Sequence, residues 1–215
     1  MQILSGAPNE WGKRLGERAA QFAALAVTAE ERRELETWLI DEFVRATVER
    51  EQIDSMNALR EVIRLTNTEG QQAQLTLERL IKLGGGLRTN DDERSIAQVS
   101  IGHLRQAVEN ACDWFAAESF AELNPIEQAA IVLLRLVSLQ PFAQANRATA
   151  LVAASLFTLR AELPPLIIKP QMRATFQRAI AEAEQMNIQP LVELIAAAVS
   201  STLDEMIGFV RQARS

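Results

Sequence analysis

The sequence predicts an all-α protein with one short β-hairpin, and three observations support this fold class. Along most of the 215 residues, apolar side chains recur at three- and four-residue spacing, which is typical of helices that bury one face. Helix-capping patterns precede two of these segments, at Thr28 and at Asn124. Only residues 88–102 read differently, as two short strands around a polar turn. We therefore expect helices on both sides of a single hairpin.

The N-terminal half is predicted to contain three amphipathic helices. Thr28 and Glu31 form a capping box that opens the first of them. The second covers residues 55–65, where apolar side chains lie on one side. The third covers residues 74–83, and we expect the glycines at 84–86 to end it, because glycine disfavours the helix interior.

The C-terminal half is predicted to contain the core. After a helix over residues 103–120, Asn124 acts as an N-cap and Pro125 as the first helical residue. The helix that follows, 126–139, is apolar nearly all round and should be central, and the segment 148–163 is similarly apolar. Further helices are expected over residues 172–185 and from Pro190 onward.

Composition excludes several classes of protein. The net charge is −6 with a pI near 5.0, and a chain without a basic run is a poor general nucleic-acid binder. Cys112 is the single cysteine, so no intrachain disulfide is expected. No secretory signal core and no apolar run of membrane-spanning length occur. We expect a cytoplasmic protein that binds neither nucleic acid nor membrane.

The two apolar segments flank an unusual polar loop, LQPFAQANRATAL, at residues 139–151. This loop resembles the signature of the Fic (Fido-domain) family, H-P-F-x-D/E-G-N-G-R, which has an A-N-K-R-T-A-L variant. The segment 123–130 resembles the helix before that signature, and residues 88–102 resemble the family's target-positioning hairpin, the flap. Further likeness lies at residues 163–166, at Arg173 and Phe176, and at residues 190–194.

The resemblance covers about residues 40 to 200. It implies a Fic-like helical domain over residues 41–215, preceded by a helical extension over residues 1–40. Its expected features are the flap and a central pair of buried helices joined by the motif loop. Family members mostly transfer AMP from ATP to a hydroxyl of a target protein. A loop histidine takes the proton, an acidic residue holds Mg²⁺, a helix start cradles phosphate and an arginine neutralises charge.

Three positions depart from the family pattern. The histidine position holds Gln140, an amide that cannot act as a base, which costs about 10²–10⁴-fold. The metal-ligand position holds Gln144, a poor ligand for Mg²⁺ compared with a carboxylate. The arginine position holds Ala148; comparable arginines contribute roughly 10³–10⁵-fold. We therefore expect no catalytic residue and no metal site of the usual kind.

The remaining motif residues suggest a residual nucleotide-phosphate site at Ala145, Asn146 and Arg147, with Phe142 in the core. Asn146 could equally cap a helix, and Arg147 could lie on the surface. His103, the only histidine, is interpreted as a helix-start or surface residue rather than a substitute base. The flap residues are Arg88, Thr89, Val99, Ser100 and Ile101, and Glu49 lies where the family's inhibitory glutamate would fall, although a surface charge is the alternative.

Three functions remain open on the sequence. The first is a degenerate Fic domain that acts as a binding or regulatory protein, contacting a protein partner or target through the flap. The second is a transferase with altered, Mg²⁺-independent chemistry and a different phosphate-containing donor. The third is a helical domain that binds no nucleotide. ATP or another nucleotide is the ligand that the resemblance implies, and homodimerisation is a further option.

Overall fold

The computed structural model describes residues 10–47, 55–86, 102–142 and 145–215, and throughout these ranges the regular structure is helical. This confirms the all-α fold class; the hairpin expected at 88–102 lies outside the described residues except for Gly102. Two 3-10 turns, Gly70–Gln72 and Pro170–Met172, accompany the α-helices. The α-helices are α1 Glu10–Ala23, α2 Ala29–Thr47, α3 Ser55–Glu69, α4 Leu77–Gly86, α5 Gly102–Phe115, α6 Glu118–Ala121, α7 Pro125–Leu139, α8 Asn146–Arg160, α9 Arg173–Glu184 and α10 Gln189–Ala213.

The core is built around α7 and α8, as the apolar patterns predict. Every residue of α8 from 148 to 158 is buried, and α7 buries seven of its 15 residues. Helices α3 and α4 pack against α8, whereas α5, α9 and α10 pack against α7. Residues 140–145 connect the two central helices, so the motif lies at one end of the α7–α8 pair.

The predicted capping box at Thr28 and the predicted N-cap at Asn124 both form, and the second is also a capping box. At the start of α2, the Thr28 N–H donates to Glu31 Oε2 at 2.8 Å, and the Glu31 N–H donates to Thr28 Oγ1 at 3.2 Å. At the start of α7, the Ile126 N–H donates to Asn124 Oδ1 at 2.9 Å, and the Asn124 N–H donates to a Glu127 carboxylate oxygen at 3.2 Å. Each box satisfies amide groups that the first helical turn leaves without partners.

The glycines at 84–86 do not end a helix before them, because α4 runs through them to Gly86. The absence of a side chain at Gly84 instead allows a close contact with the motif loop. A Cβ atom at this position would lie 2.5 Å from Cζ of Phe142, closer than two carbon atoms can approach. Gly84 is therefore a packing glycine that seats the Phe142 ring.

The helix predicted over 103–120 is divided into α5 and α6. Ala117 adopts an extended conformation, with φ −68° and ψ 146°, which interrupts the helical bonding. The break turns the chain so that the Phe120 ring lies 5.3 Å from Phe115 and 5.8 Å from Phe157, measured between ring centroids. Aromatic packing thus determines where α5 ends.

Helix α1 is joined to the rest of the domain through α10, whereas α2 packs on both α3 and α10. Helix α1 packs along α10, where Arg18 Nε lies 2.9 Å from Asp204 Oδ1. Arg214, just after α10, donates to both carboxylate oxygens of Glu31. Helix α2 crosses residue 40 without interruption, and the division of the chain at that residue remains a prediction. Among the described helices, none has the length and hydropathy needed to span a bilayer.

Candidate functional site

The motif loop begins and ends in left-handed backbone conformations. Gln140 ends α7 with φ 46° and ψ 58°, and its N–H donates to Leu136 O at 3.1 Å. Ala145 precedes α8 with φ 61° and ψ 17°. A residue with a Cβ is strained there, which gives a physical reason for glycine at this position in the family pattern. The side chain of Gln140 is exposed, and no residue of the described chain bonds it.

Asn146 closes the loop by bonding the backbone of Phe142. Its Oδ1 accepts the Phe142 N–H at 2.8 Å, and its Nδ2 donates to the Phe142 carbonyl at 2.6 Å. The amide is occupied within the loop, rather than capping the first amides of α8. Phe142 is 2% exposed and its ring packs on Gly84. This pair of contacts gives the loop a defined shape.

The first turn of α8 leaves its amides open. The first described intrahelical bond runs from the Thr149 N–H to Ala145 O at 2.9 Å, and Ala145 provides no side-chain cap. The N–H groups of Asn146, Arg147 and Ala148 therefore find no acceptor within the described residues. Such a helix start carries partial positive charge and can bind an anion.

Arg147 lies beside these amides and is exposed. Its guanidinium carbon is 5.9 Å from the centroid of the Phe176 ring on α9, a cation–π distance. No acidic side chain of the described ranges pairs with it. One turn earlier on α9, Arg173 donates to the Ala46 carbonyl near the end of α2 at 2.8 Å. Helix α9 therefore contacts both the start of α8 and the end of α2.

The position that corresponds to the family arginine lies in the core. Ala148 is 2% exposed. Its methyl group packs in the core and supplies no charge to the site. The next residue, Thr149, is 1% exposed, and its Oγ1 has no hydrogen-bond partner among the described residues. Thr149 was not singled out from the sequence. A threonine within an apolar helix gives no sign in the sequence that its hydroxyl is unpaired.

Several predicted site residues lie outside the described residues, namely Gln144, Glu49, Arg88, Thr89, Val99, Ser100 and Ile101. His103 is described and exposed near the start of α5. In the ranges that the structure describes, no three His, Cys, Asp or Glu side chains converge as metal ligands would. An amide at the acid position is a poor donor set for Mg²⁺, so the residues present do not fit this ion.

Cys112 offers no alternative nucleophile. Its thiol is buried, and burial, followed by the negative charges of Asp113 and Glu109, raises its pKa to about 12. The thiolate is the reactive form, so this cysteine is unreactive near neutral pH. Among the described residues, the start of α8 therefore offers open amides, and Cys112 offers no thiolate at neutral pH.

The geometry of a polar loop between two buried helices agrees with comparisons to known proteins. The family model for the Fic/DOC family matches residues 59–158, which include α4, α5, α7 and most of α3 and α8. The matched segment, 100 of the 215 residues, is therefore similar to the Fic/DOC family. The protein adenylyltransferase fic-1 of Caenorhabditis elegans is 28% identical over 113 residues, which are 53% of this chain and 22% of that protein.

A second curated relative shows the same sequence likeness, and two solved structures show the same fold. The protein adenylyltransferase Fic of Drosophila willistoni is 31% identical over 103 residues, 48% of this chain and 21% of its own. The Fic-1 structure of C. elegans superposes with a TM-score of 0.75 at 19% identity, covering 93% of this chain and 71% of that one. A Fic-domain signalling protein of Bacteroides thetaiotaomicron gives 0.75 at 14% identity, covering 93% and 98%. This chain spans about a fifth of the length of the curated relatives.

Proposed function

We propose that this Fic-family protein does not carry out AMP transfer of the usual kind and acts as a binding or regulatory protein that keeps a nucleotide-phosphate site. The observation that carries the proposal is the start of α8, where three uncapped amides lie beside the exposed Arg147. Backbone amides and a guanidinium together bind phosphate oxygens well. We expect this site to bind phosphate groups without catalysing their transfer.

The loss of the usual activity follows from three side chains. Gln140 carries no basic group for removing a proton from a hydroxyl. Gln144 stands where the family has a metal-binding acid, and Ala148, buried at 2% exposure, stands where it has an arginine. Each change removes a separate contribution to phosphoryl transfer, although their costs need not multiply.

The proposed partner is a protein segment that adds to the flap at residues 88–102 as an extra strand. The curated relatives are named protein adenylyltransferases, which is consistent with a domain that recognises proteins. A cytoplasmic location fits a single, buried cysteine that forms no disulfide. The helical extension over residues 1–40 and the Fic-like domain over 41–215 belong to the same proposal.

Calorimetric titration of ATP, ADP and CDP-linked compounds, with and without Mg²⁺, tests the phosphate site. We expect a Kd below about 100 μM, roughly −5.5 kcal/mol, for at least one nucleotide, with little dependence on Mg²⁺. Arg147→Ala should abolish this binding. Arg178→Ala removes the same charge from an exposed position on α9 and should leave it unchanged. Absence of nucleotide binding, or equal binding in both variants, would reject the site.

A transferase with altered chemistry is the second candidate, because Arg147 lacks a described acidic partner and is placed to contact a donor phosphate without a metal. It predicts a donor-dependent mass increase on a protein target. The increase should persist without Mg²⁺ and disappear in Arg147→Ala. Nucleotide binding without any mass change on co-purified proteins would favour the regulatory function.

A further inference from the structure

A cavity lies at the end of the α7–α8 pair that is opposite to the motif loop. Its volume is about 300 Å³, at the small-molecule end of the range for ligand sites. Phe115 and Phe120 are buried in its wall, and the exposed amides of Gln71 and Gln72 lie at its rim. The polar groups that line it more deeply belong to Gln128 of α7 and Arg160, the last residue of α8.

Arg160 is half-buried and has no polar partner within the described structure. Neither an acidic side chain nor any other hydrogen-bond acceptor of those residues contacts its guanidinium, and no carboxylate lines the cavity. Its guanidinium carbon lies 5.4 Å above the Phe157 ring, which fixes the position of the side chain. Burial lowers the pKa of Arg160, since the charge loses water without gaining an anion.

Gln128 places a fixed amide in the same cavity. Its Nε2 donates to three carbonyls, those of Phe120 at 3.0 Å, Ala121 at 3.3 Å and Leu123 at 2.9 Å. The side chain is 7% exposed, and its Oε1 receives no hydrogen bond from the described residues. Bonds from one nitrogen to three carbonyls prevent the amide from rotating, so Gln128 is a fixed part of the cavity wall.

We propose that this cavity binds a small organic carboxylate, with the carboxylate on Arg160 and an apolar body against Phe115 and Phe120. A carboxylate matches the planar guanidinium in a bidentate manner and compensates its lost hydration. The cavity is distinct from the phosphate site: Arg160 follows Asn146 by fourteen residues of helix, roughly 21 Å at 1.5 Å per residue. The proposal is independent of the function proposed for the loop.

Titration with benzoate, acetate and inorganic phosphate tests this site, using amide chemical shifts of the full chain and the fluorescence of Trp114. The Trp114 ring lies 5.1 Å from that of Phe120 and therefore reports on the cavity wall. We expect benzoate to bind with a Kd of about 1 mM or tighter, at least tenfold tighter than acetate. Chemical shifts of the cavity residues should move while those at the start of α8 remain unchanged.

Three variants make the result specific to the cavity. Arg160→Gln should weaken benzoate binding at least tenfold, and Gln72→Glu, at the exposed rim, should weaken it by adding a negative charge without affecting folding. Arg147→Ala should leave it unchanged. Benzoate binding that survives Arg160→Gln, or no saturable shift up to about 10 mM, would overturn the proposal. Phosphate that shifts the cavity residues at lower concentration than benzoate does would overturn the choice of a carboxylate.

Discussion

The two ends of the α7–α8 pair contain similar amide side chains that have opposite environments. At the end far from the motif loop, Gln128 is buried and its nitrogen bonds three carbonyls, while Asn124 caps α7. At the loop end, Asn146 bonds the Phe142 backbone, but Gln140 is exposed and its side chain has no partner in the described structure. The same residue type is structural at one end and available for contacts at the other.

This difference shows that burial, rather than residue type, decides what an amide does in this fold. A buried amide must satisfy its hydrogen bonds within the protein, and its substitution exposes carbonyl groups without partners. An exposed amide exchanges its bonds with water and contributes little to stability. The exposed position of Gln140 is therefore free to change in sequence without loss of the fold.

The sharpest test exchanges each glutamine for glutamate. Gln128→Glu removes a nitrogen that bonds three carbonyls and places a carboxylate among them, so we expect a loss of about 3–5 kcal/mol in the free energy of unfolding at pH 7. Gln140→Glu at the exposed position should change stability by less than about 0.5 kcal/mol. Urea denaturation measures both.

The same two variants should differ in their dependence on pH. The carboxyl that Gln128→Glu introduces should be protonated more easily than usual, because burial among carbonyls raises its pKa. The stability deficit of this variant should therefore shrink as the pH falls from 7 to 5, whereas that of Gln140→Glu stays near zero. Equal, small losses in the two variants would contradict the contrast between the two ends.

The contact between Gly84 and Phe142 provides the next largest effect. Gly84→Ala would place a Cβ 2.5 Å from Cζ of the Phe142 ring, so the ring must move and we expect a loss of about 1–3 kcal/mol. Gly208→Ala, in α10 with no atom within 4 Å of the added Cβ, should stabilise the protein by about 0.5–1 kcal/mol. Opposite signs for the two substitutions, measured by urea denaturation, would confirm that Gly84 is a packing position.

Helix caps and buried helices were predictable because local sequence determines them. Thr28 with Glu31 and Asn124 with Glu127 each satisfy amides within three residues, and α7 carries few polar side chains. The family resemblance also located the motif loop, because the order of residues from Pro141 to Asn146 is unusual.

Contacts between distant segments were not predictable. In the sequence, the glycine run that begins at Gly84 suggests a helix end. The role of Gly84 in the structure depends instead on Phe142, which lies 58 residues later in the chain. The break at Ala117 depends on where Phe120 packs against Phe157. The bonding of Asn146 to Phe142 depends on a loop conformation that begins in a left-handed backbone at the end of α7. Residue patterns contain no direct signal for such arrangements.

The closure of the motif loop can be tested at Asn146. Asn146→Asp keeps the oxygen that accepts the Phe142 N–H but replaces the nitrogen that donates to the Phe142 carbonyl. We expect a loss of about 1–2 kcal/mol, because the carbonyl then faces a carboxylate. Nucleotide binding should also fall at least tenfold from charge repulsion. Unchanged stability would mean that the loop does not depend on this side chain.

The smallest effect compares the two capping boxes. Glu31 is bonded by Arg214, and then by the Thr28 N–H, and these interactions lower its pKa from 4.5 to about 2. Glu31→Gln keeps an oxygen for the cap but loses the charge, and we expect a lower urea midpoint at pH 7, by less than the shift of Asn146→Asp. Glu127→Gln, where no arginine is bonded among the described residues, should shift it less.

The pH dependence of the Glu31 variant identifies the cause. A carboxyl whose folded-state pKa is lowered stabilises the native state above its unfolded pKa, and this contribution is lost as the pH falls through the folded value. The difference between wild type and Glu31→Gln should therefore be constant from pH 7 to about 5 and shrink between about 4.5 and 2. It should also shrink in high salt, because the Arg214 side chain of the pair is exposed. A difference that does not depend on pH would assign the effect to the cap rather than to Arg214.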